Sequence, residues 1–566
     1  MADFCHSFFD ISIFGEEKND FSLPARYNNS AFRCILTARR CAMGIYLNPS
    51  NVNFKETLTR KIYVDKTMMI SVLNEFMRED NKYICVSRPR RFGKTIAGNM
   101  LSAYYSKGCD SRELFAPYKI AKDAGFEGNL NKFNVIKIDV NSEYRNALDK
   151  NNLILDITTE IQKEFSKEFP SIEFSTSDSI ARCILKVFSE IGEKFVVIMD
   201  EYDVLVRENV SADLFTQYLD LLNGLFKSDT VRPAIALAYL TGILPVVRDK
   251  VQSKLNNFRE YTTLNASSLS EFIGFTEEEV KSLCAKYSVD FEECKRWYDG
   301  YRQNGYEIYN PESVCLCIEE KSFDGYWGKT SSYAVISDRI GANFAGTKDD
   351  VIRMLSGENV DVDVGMYLNT MTDFTSKDDV LTYLIHVGYL SYNREEKNCH
   401  IPNKEVQLEW IRALKKLGDY TVTNEIIQSS KELLAETLRG NAEAVAKALD
   451  VSHIHVTSNR SYNNEDALQS AIYLAYIYAL NKYTVIKEMT TGKGFADVVF
   501  IPFVPNVPAM IIELKRNGSA ESALNQIKEK QYFDSLSAYS GNLLFVGINY
   551  DEVTKTHECK IELFVK

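Results

Sequence analysis

A chain of 566 residues is too long for one hydrophobic core and implies about three or four domains. Hydrophobic residues make up 45% and charged residues 25%, the balance of a folded protein, which excludes a disordered chain. The formal net charge of −12 excludes a surface coated in basic residues, so any nucleic-acid contact has to be a local cationic cleft.

Residues 1–42 show neither a helical nor a strand period and include Arg39 and Arg40. They read as an unstructured extension or a mis-assigned translation start ahead of MGIYLNP (43–49), and no basic segment leads into an apolar run as in a signal peptide. At 83–95 the chain reads YICVSRPRRFGKT, an apolar strand running into a turn and then a helix near Lys94. This is the layout of a phosphate-binding loop, in which backbone N–H groups and a helix N-terminus cradle phosphates. Gly93, Lys94 and Thr95 fit G-K-[ST], with Lys94 reaching the β/γ-phosphates and Thr95 placed to hold Mg²⁺. The first glycine of the full motif is replaced by Arg88, so the loop has to turn by another route. Arg88, Arg90 and Arg91 form a dense positive cluster, expected to contact phosphate or to satisfy nearby carboxylates.

Further on, NVIKIDV (134–140) reads as a strand covered on both faces. FVVIMDEYDVL (195–205) is a Walker B pattern ending in Asp200 and Glu201. Asp200 is expected to hold Mg²⁺ through water and Glu201 to polarise the attacking water; the plainer alternative is a helix start with two favourable acids. AIALAYLTG (234–242) adds a buried strand ending near Thr241, a candidate polar sensor. Strands alternating with helical stretches predict a doubly wound parallel sheet over 43–290.

The region 291–450 reads as a helical connector. WYDGY (297–301) is expected to be structural, with Trp297 and Tyr301 on one helix face if the segment is helical. DDVLTYLIHVGYLSYN (378–393) and CHIPNKEV (399–406) read as helix, strand, turn, strand, a winged-helix-like hairpin with no basic run. His386 and His400 read as structural, and His453 and His455 as alternating on a strand-like stretch. Twelve cysteines without C-x-x-C pairs or zinc spacing fit a reducing, cytoplasmic setting. No run approaches the roughly 18 apolar residues of a membrane span.

The C-terminal part, 451–566, carries the most specific pattern. GFADVVFIP (494–502) and AMIIELK (509–515) are strand-like runs about a Pro-rich turn. A hairpin centred on Pro505 sets Asp497 opposite Glu513, and period-2 alternation puts Glu513 and Lys515 on one face. Two carboxylates and a lysine on one patch are what a divalent metal and a polarised phosphodiester need. Helical segments precede the hairpin at 463–480, with Glu465 in the first turn, and follow it at 521–534. The run 543–548 supplies a further buried strand.

The pattern D-x(n)-E-x-K resembles the PD-(D/E)XK nuclease superfamily. The strings IYVDKT (62–67), SRPRRFGKT, MDEYD, LTGIL (240–244), WYDGY, YNP (309–311) and IPNKEV (401–406) together resemble the AAA-ATPase-like family whose members carry such a nuclease domain at the C-terminus. The likeness runs from about residue 43 to the end, and in that family Arg-Pro-Arg-Arg is the usual form of the loop. It implies a restriction-endonuclease-like α/β domain in which Asp497, Glu513 and Glu465 ligate Mg²⁺ or Mn²⁺. Lys515 positions water, and Gln526 and Tyr532 fall where the family has a glutamine–tyrosine element. The implied protein binds ATP and cleaves nucleic acid, DNA by analogy, with self-association left open. The rival from another class is a nucleotide switch whose nuclease-like domain binds nucleic acid or a partner without cleaving. A motor reading ranks lower, because no helicase motifs follow the loop.

Overall fold

The computed structural model describes residues 44–565 except 209, 247–256, 330–333, 342–343, 366, 368–373, 416–420, 457–464, 492–493, 503, 505, 537–538 and 540. The segment 1–42 and the turn residue Pro505, both read from the sequence, thus lie outside the described residues. Five parallel strands build the first sheet: β1 (Tyr83–Ser87), β2 (Asn134–Asp139), β3 (Phe195–Asp200), β4 (Ile235–Gly242) and β5 (Arg259–Tyr261). Their order is β2-β3-β4-β1-β5. Both faces are covered, which is why β1, β3 and β4 are buried throughout. Alternate residues serve separate cores: Ile84, Val86 and Ile198 pack on one side, Tyr83, Cys85 and Met199 on the other.

β1 hands directly into helix α1 (Lys94–Tyr105). The turn that a glycine at position 88 would have made falls instead at Arg91 (φ 70°) and Gly93 (φ 89°).

The middle region is helical with short strand pairs. Helix α2 (Phe291–Tyr298) ends before Tyr301, which opens a strand (Tyr301–Gln303). Trp297 and Tyr301 therefore share no helix face: Gly300, at φ 103°, turns the chain against Pro402, leaving no room for a Cβ. Helix α3 (Pro311–Glu320) follows, capped by the Asn310 side chain. Helix α4 (Lys377–His386) leads into an antiparallel pair, Ser391–Asn393 with Asn398–His400, joined by Val360–Asp361 as a third strand. The second strand of the expected hairpin is shorter than 399–406. Asn403 accepts the Val406 N–H and starts helix α5 (Lys404–Leu414) instead.

Helices α6 (Thr421–Leu438) and α7 (Ala442–Val456) lead to the last domain, and the stretch holding His453 and His455 is helical where alternation suggested a strand. Helix α8 (Glu465–Ala475) precedes a mixed sheet of β6 (Tyr483–Thr491), β7 (Gly494–Pro502), β8 (Ala509–Arg516), β9 (Leu543–Asp551) and β10 (Thr556–Phe564), hydrogen-bonded in that order. Only the β8–β9 pair is parallel, and helix α9 (Ala520–Glu529) makes that crossover. The architecture is mixed α/β: a five-stranded parallel sheet, a helical middle and a C-terminal mixed sheet.

Candidate functional site

Two constellations stand out, one on each large sheet. At the first, the C-terminal ends of the parallel strands bring polar residues into one row. Asp139 pairs in register with Asp200, and Asp200 with Thr241, beside the loop that leaves β1. Lys94 is buried and donates to the Arg88 and Pro89 carbonyls at 3.0 and 2.8 Å. Burial pulls its ammonium down to about 8, against the charges of Glu201 and Asp200. Burial likewise lifts Asp200 to about 6, opposed by a hydrogen bond from the exposed Thr95 hydroxyl. A hydroxyl and a carboxylate meeting at one point are hard oxygen donors that suit Mg²⁺. Thr241 is fully buried on β4 next to Asp200.

The arginines divide. Arg90 is exposed and Arg91 half-buried, the latter within the field of Glu312 and Glu405. Arg88 turns inward: its guanidinium donates to the Ser87 and Tyr261 carbonyls at 2.8 and 3.0 Å, and burial lowers it to about 10. A phosphate contact from Arg88 is thus corrected to a structural tie between the loop and β5.

Glu201 sits at φ 49° just past β3, its carboxylate 2.6 Å from the Arg207 guanidinium. Beside the loop lies a cavity of about 500 Å³, lined among others by Tyr63, Lys66, Arg91, Gly93, Ile96 and Phe275. Aromatic and cationic walls of this size suit the base and ribose of a nucleotide whose phosphates rest on the loop. None of Tyr63, Lys66, Phe275 or Arg207 was identified as a site residue from sequence. Only IYVDKT, which holds the first two, carried a signal.

The second constellation lies where β7 peels away from β8. Their ladder runs Phe500↔Met510 to Val498↔Ile512, and one step further in that register Asp497 faces Glu513. Ala496 packs under α9 with Val499 and Ile511, whereas Val498 packs on the other face, so alternation breaks at Asp497. Glu488, the residue of β6 opposite, has φ 49°. Freed from the ladder, Asp497 Oδ2 accepts the Leu514 N–H at 2.7 Å, while its carbonyl accepts Gln469 Nε2 at 2.9 Å. Gln469 was also missed, although it follows Glu465 by four residues on α8, one turn along the same face.

Glu513 is 2% exposed. Its Oε1 accepts from Gln526 Nε2 and lies 3.5 Å from Lys515 Nζ, and Gln526 also donates to the Tyr532 hydroxyl at 3.1 Å. Its Oε2 is buried with no hydrogen-bond partner among the described residues. Burial first, and the Asp497 charge second, push this carboxyl up to about 8, with Lys515 opposing. A buried carboxyl with one oxygen orphaned, beside a half-buried second carboxylate, fits a hard divalent cation. Among the described residues no three acidic, histidine or cysteine side chains are grouped to hold a metal. The expected third acid, Glu465, begins α8, and its side chain lies outside the described residues.

Helix α5 contacts both a helix of the cavity wall and the C-terminal sheet. Glu405 is fully buried and accepts from Ser313 on α3, next to Glu312 of the cavity wall. Its neighbour Lys404 sits 4.3 Å over the Trp297 ring and donates to Thr484 on β6 at 3.2 Å, and Thr484 donates to Glu293 at 2.6 Å.

The predicted AAA-ATPase family matches residues 52–252, and the PD-(D/E)XK nuclease superfamily matches residues 463–559. A relative over nearly the whole chain is an uncharacterized protein in the vnfD 5′ region of Azotobacter chroococcum mcd 1, 22% identical over 517 residues that cover 87% of this chain and 94% of that one. Residues 52–252 thus form a domain of the predicted AAA-ATPase family, and residues 463–559 a domain of the PD-(D/E)XK nuclease superfamily.

Proposed function

We propose that this protein binds ATP and hydrolyses phosphodiester bonds of nucleic acid, DNA by analogy with the superfamily, under the control of the bound nucleotide. The observation that carries the nuclease reading is the Asp497–Glu513 pair, with its orphaned Glu513 oxygen and Lys515 3.5 Å away. A Mg²⁺ or Mn²⁺ ion held by Asp497, Glu513 and, from α8, Glu465 supplies Lewis acidity and charge neutralisation at the scissile phosphate. Gln526 fixes the orientation of Glu513, and Lys515 orients the attacking water. That water attacks phosphorus and gives up a proton, the P–O bond to the sugar oxygen breaks with its electron pair going to that oxygen, and the departing oxygen takes up a proton.

At the other site Lys94 and Arg91 take the phosphates, Thr95 and Asp200 hold Mg²⁺, and the adjacent cavity takes the nucleoside. The domains of this reading are a nucleotide module at 43–290, a connector at 291–450 and the nuclease at 451–566. Nucleotide control is supported by α5, where Glu405 and Lys404 touch the cavity's helix and the nuclease sheet. The described cysteines are all free thiols, which supports a reducing compartment such as the cytoplasm. Among the described residues no helix is long and apolar enough to cross a membrane.

The test is incubation of the purified protein with DNA and RNA, single- and double-stranded, with and without ATP and Mg²⁺ or Mn²⁺. Cleavage that needs the divalent ion and responds to ATP is expected. No cleavage in any combination would leave the nucleotide switch as the better reading.

A further inference from the structure

We infer that Arg207 is a positioning residue for ATP hydrolysis, holding Glu201 in the orientation from which it takes a proton from water; this rests on the ATP-site reading above. Arg207 lies at the end of the short helix Val204–Arg207, and its side chain is 9% exposed. It makes two ion pairs: the guanidinium contacts Glu201 Oε2 at 2.6 Å, and its Nε donates to Asp203 Oδ2 at 2.9 Å.

The anchor is stronger than a surface pair. Asp203 is fully buried, and the same Oδ2 accepts the Ile243 and Leu244 N–H groups at 3.1 and 2.8 Å. Those residues directly follow β4, whose Thr241 neighbours Asp200. The chain of contacts therefore runs from the end of β4 through Asp203 and Arg207 to Glu201. A base oriented by a second group that is itself held by a third recurs where proton transfer needs fixed geometry.

Glu201 needs such a hold. It is a non-glycine residue at positive φ, so its backbone occupies a sparsely populated conformation. Its side chain is 26% exposed, and Arg207 engages one of its two carboxylate oxygens. In the step this serves, Glu201 accepts a proton from water as the water oxygen bonds to the γ-phosphorus. The bond from the γ-phosphorus to the β–γ bridging oxygen breaks, and its electron pair leaves with ADP. Arg207 forms no bond to phosphate in this role, which separates it from a group that neutralises the transferring phosphoryl.

A double-mutant cycle with ATP as substrate tests the assignment, with nucleotide affinity measured by equilibrium binding and folding by thermal unfolding. Arg207→Ala is expected to lower kcat by about tenfold or more, the order of a misplaced general base. Affinity for ATP should hold within about twofold. Arg207→Lys, which keeps the charge but cannot bridge both acids in the same fork, should recover part of the loss. In a Glu201→Gln background, Arg207→Ala should cost nothing further, because residues acting as one unit are non-additive. Equal losses in both backgrounds, or a large fall in ATP affinity, would overturn the assignment in favour of a structural or phosphate-binding arginine. Wild-type protein that binds ATP without turning it over would remove the hydrolysis reading itself, and Arg207's role with it. If Arg207→Ala unfolds, Arg207→Lys in the two backgrounds carries the same comparison.

Discussion

The Asp497 carboxylate accepts the backbone N–H of Leu514 at 2.7 Å, across the point where their two strands stop pairing. That bond replaces a lost ladder hydrogen bond and brings the acid beside Glu513. The site is therefore made by a defect in the sheet, and its geometry depends on the divergence of β7 from β8.

At the nucleotide site, Lys94→Ala should abolish ATP binding, because it removes the loop ammonium that is proposed to leave the Arg88 and Pro89 carbonyls for the phosphates. Glu201→Gln should retain binding and slow turnover. Equilibrium binding of ATP to both variants checks this, and equal affinity of wild type and Lys94→Ala would contradict the phosphate-loop assignment.

Arg88 and Arg90 should behave as opposites. Arg88→Ala removes a buried guanidinium that ties the loop to Tyr261, so the melting temperature should fall by several degrees, on the order of the 1–3 kcal/mol of a lost charged hydrogen-bond group. Arg90→Ala, at an exposed position, should leave it within about a degree. Calorimetry of the two variants without nucleotide makes the comparison.

Glu405 sets a pH dependence of stability. Burial raises its carboxyl to about 8, with the Trp327 N–H and the Ser313 hydroxyl opposing and Glu409 adding to the rise. The unfolded chain releases this proton near about 4.3, so between there and about 8 the folded state binds more protons. Stability contributed here falls as pH rises through that window, and the penalty is complete above it. Glu405→Gln should flatten this part of the profile, with the largest gain over wild type above pH 8. Urea unfolding at pH 5, 7 and 9 measures it, and a gain that does not grow with pH would contradict it.

Much of this was legible from local pattern. Continuous apolar runs placed the buried strands, Gly93-Lys94-Thr95 marked the loop, and equal spacing about Pro505 predicted the register that Val498↔Ile512 shows. What was hidden depends on partners distant in the chain. Arg88 reads as one cation among three until Tyr261 arrives beside it on β5, and Asp203, which holds Arg207, is itself anchored by the Ile243 and Leu244 N–H groups, 40 and 41 residues further on. Tyr301 fits a helical spacing from Trp297, but Gly300 and the Pro402 backbone turn the chain first. Helix α7 reached His455 because burial against the last sheet outweighs the short alternation seen there.

The most direct test of the nuclease reading is metal-dependent cleavage by the double variant Asp497→Asn, Glu513→Gln. It removes two candidate metal-ligating charges and keeps the side chains' size. With Mg²⁺ or Mn²⁺, wild type should cleave nucleic acid and the double variant should lose cleavage by orders of magnitude. Binding of the same substrate should persist or tighten, since two negative charges near the phosphate backbone are gone. Cleavage that survives in the double variant, or a wild type that binds without cleaving at any metal and nucleotide condition, would contradict it.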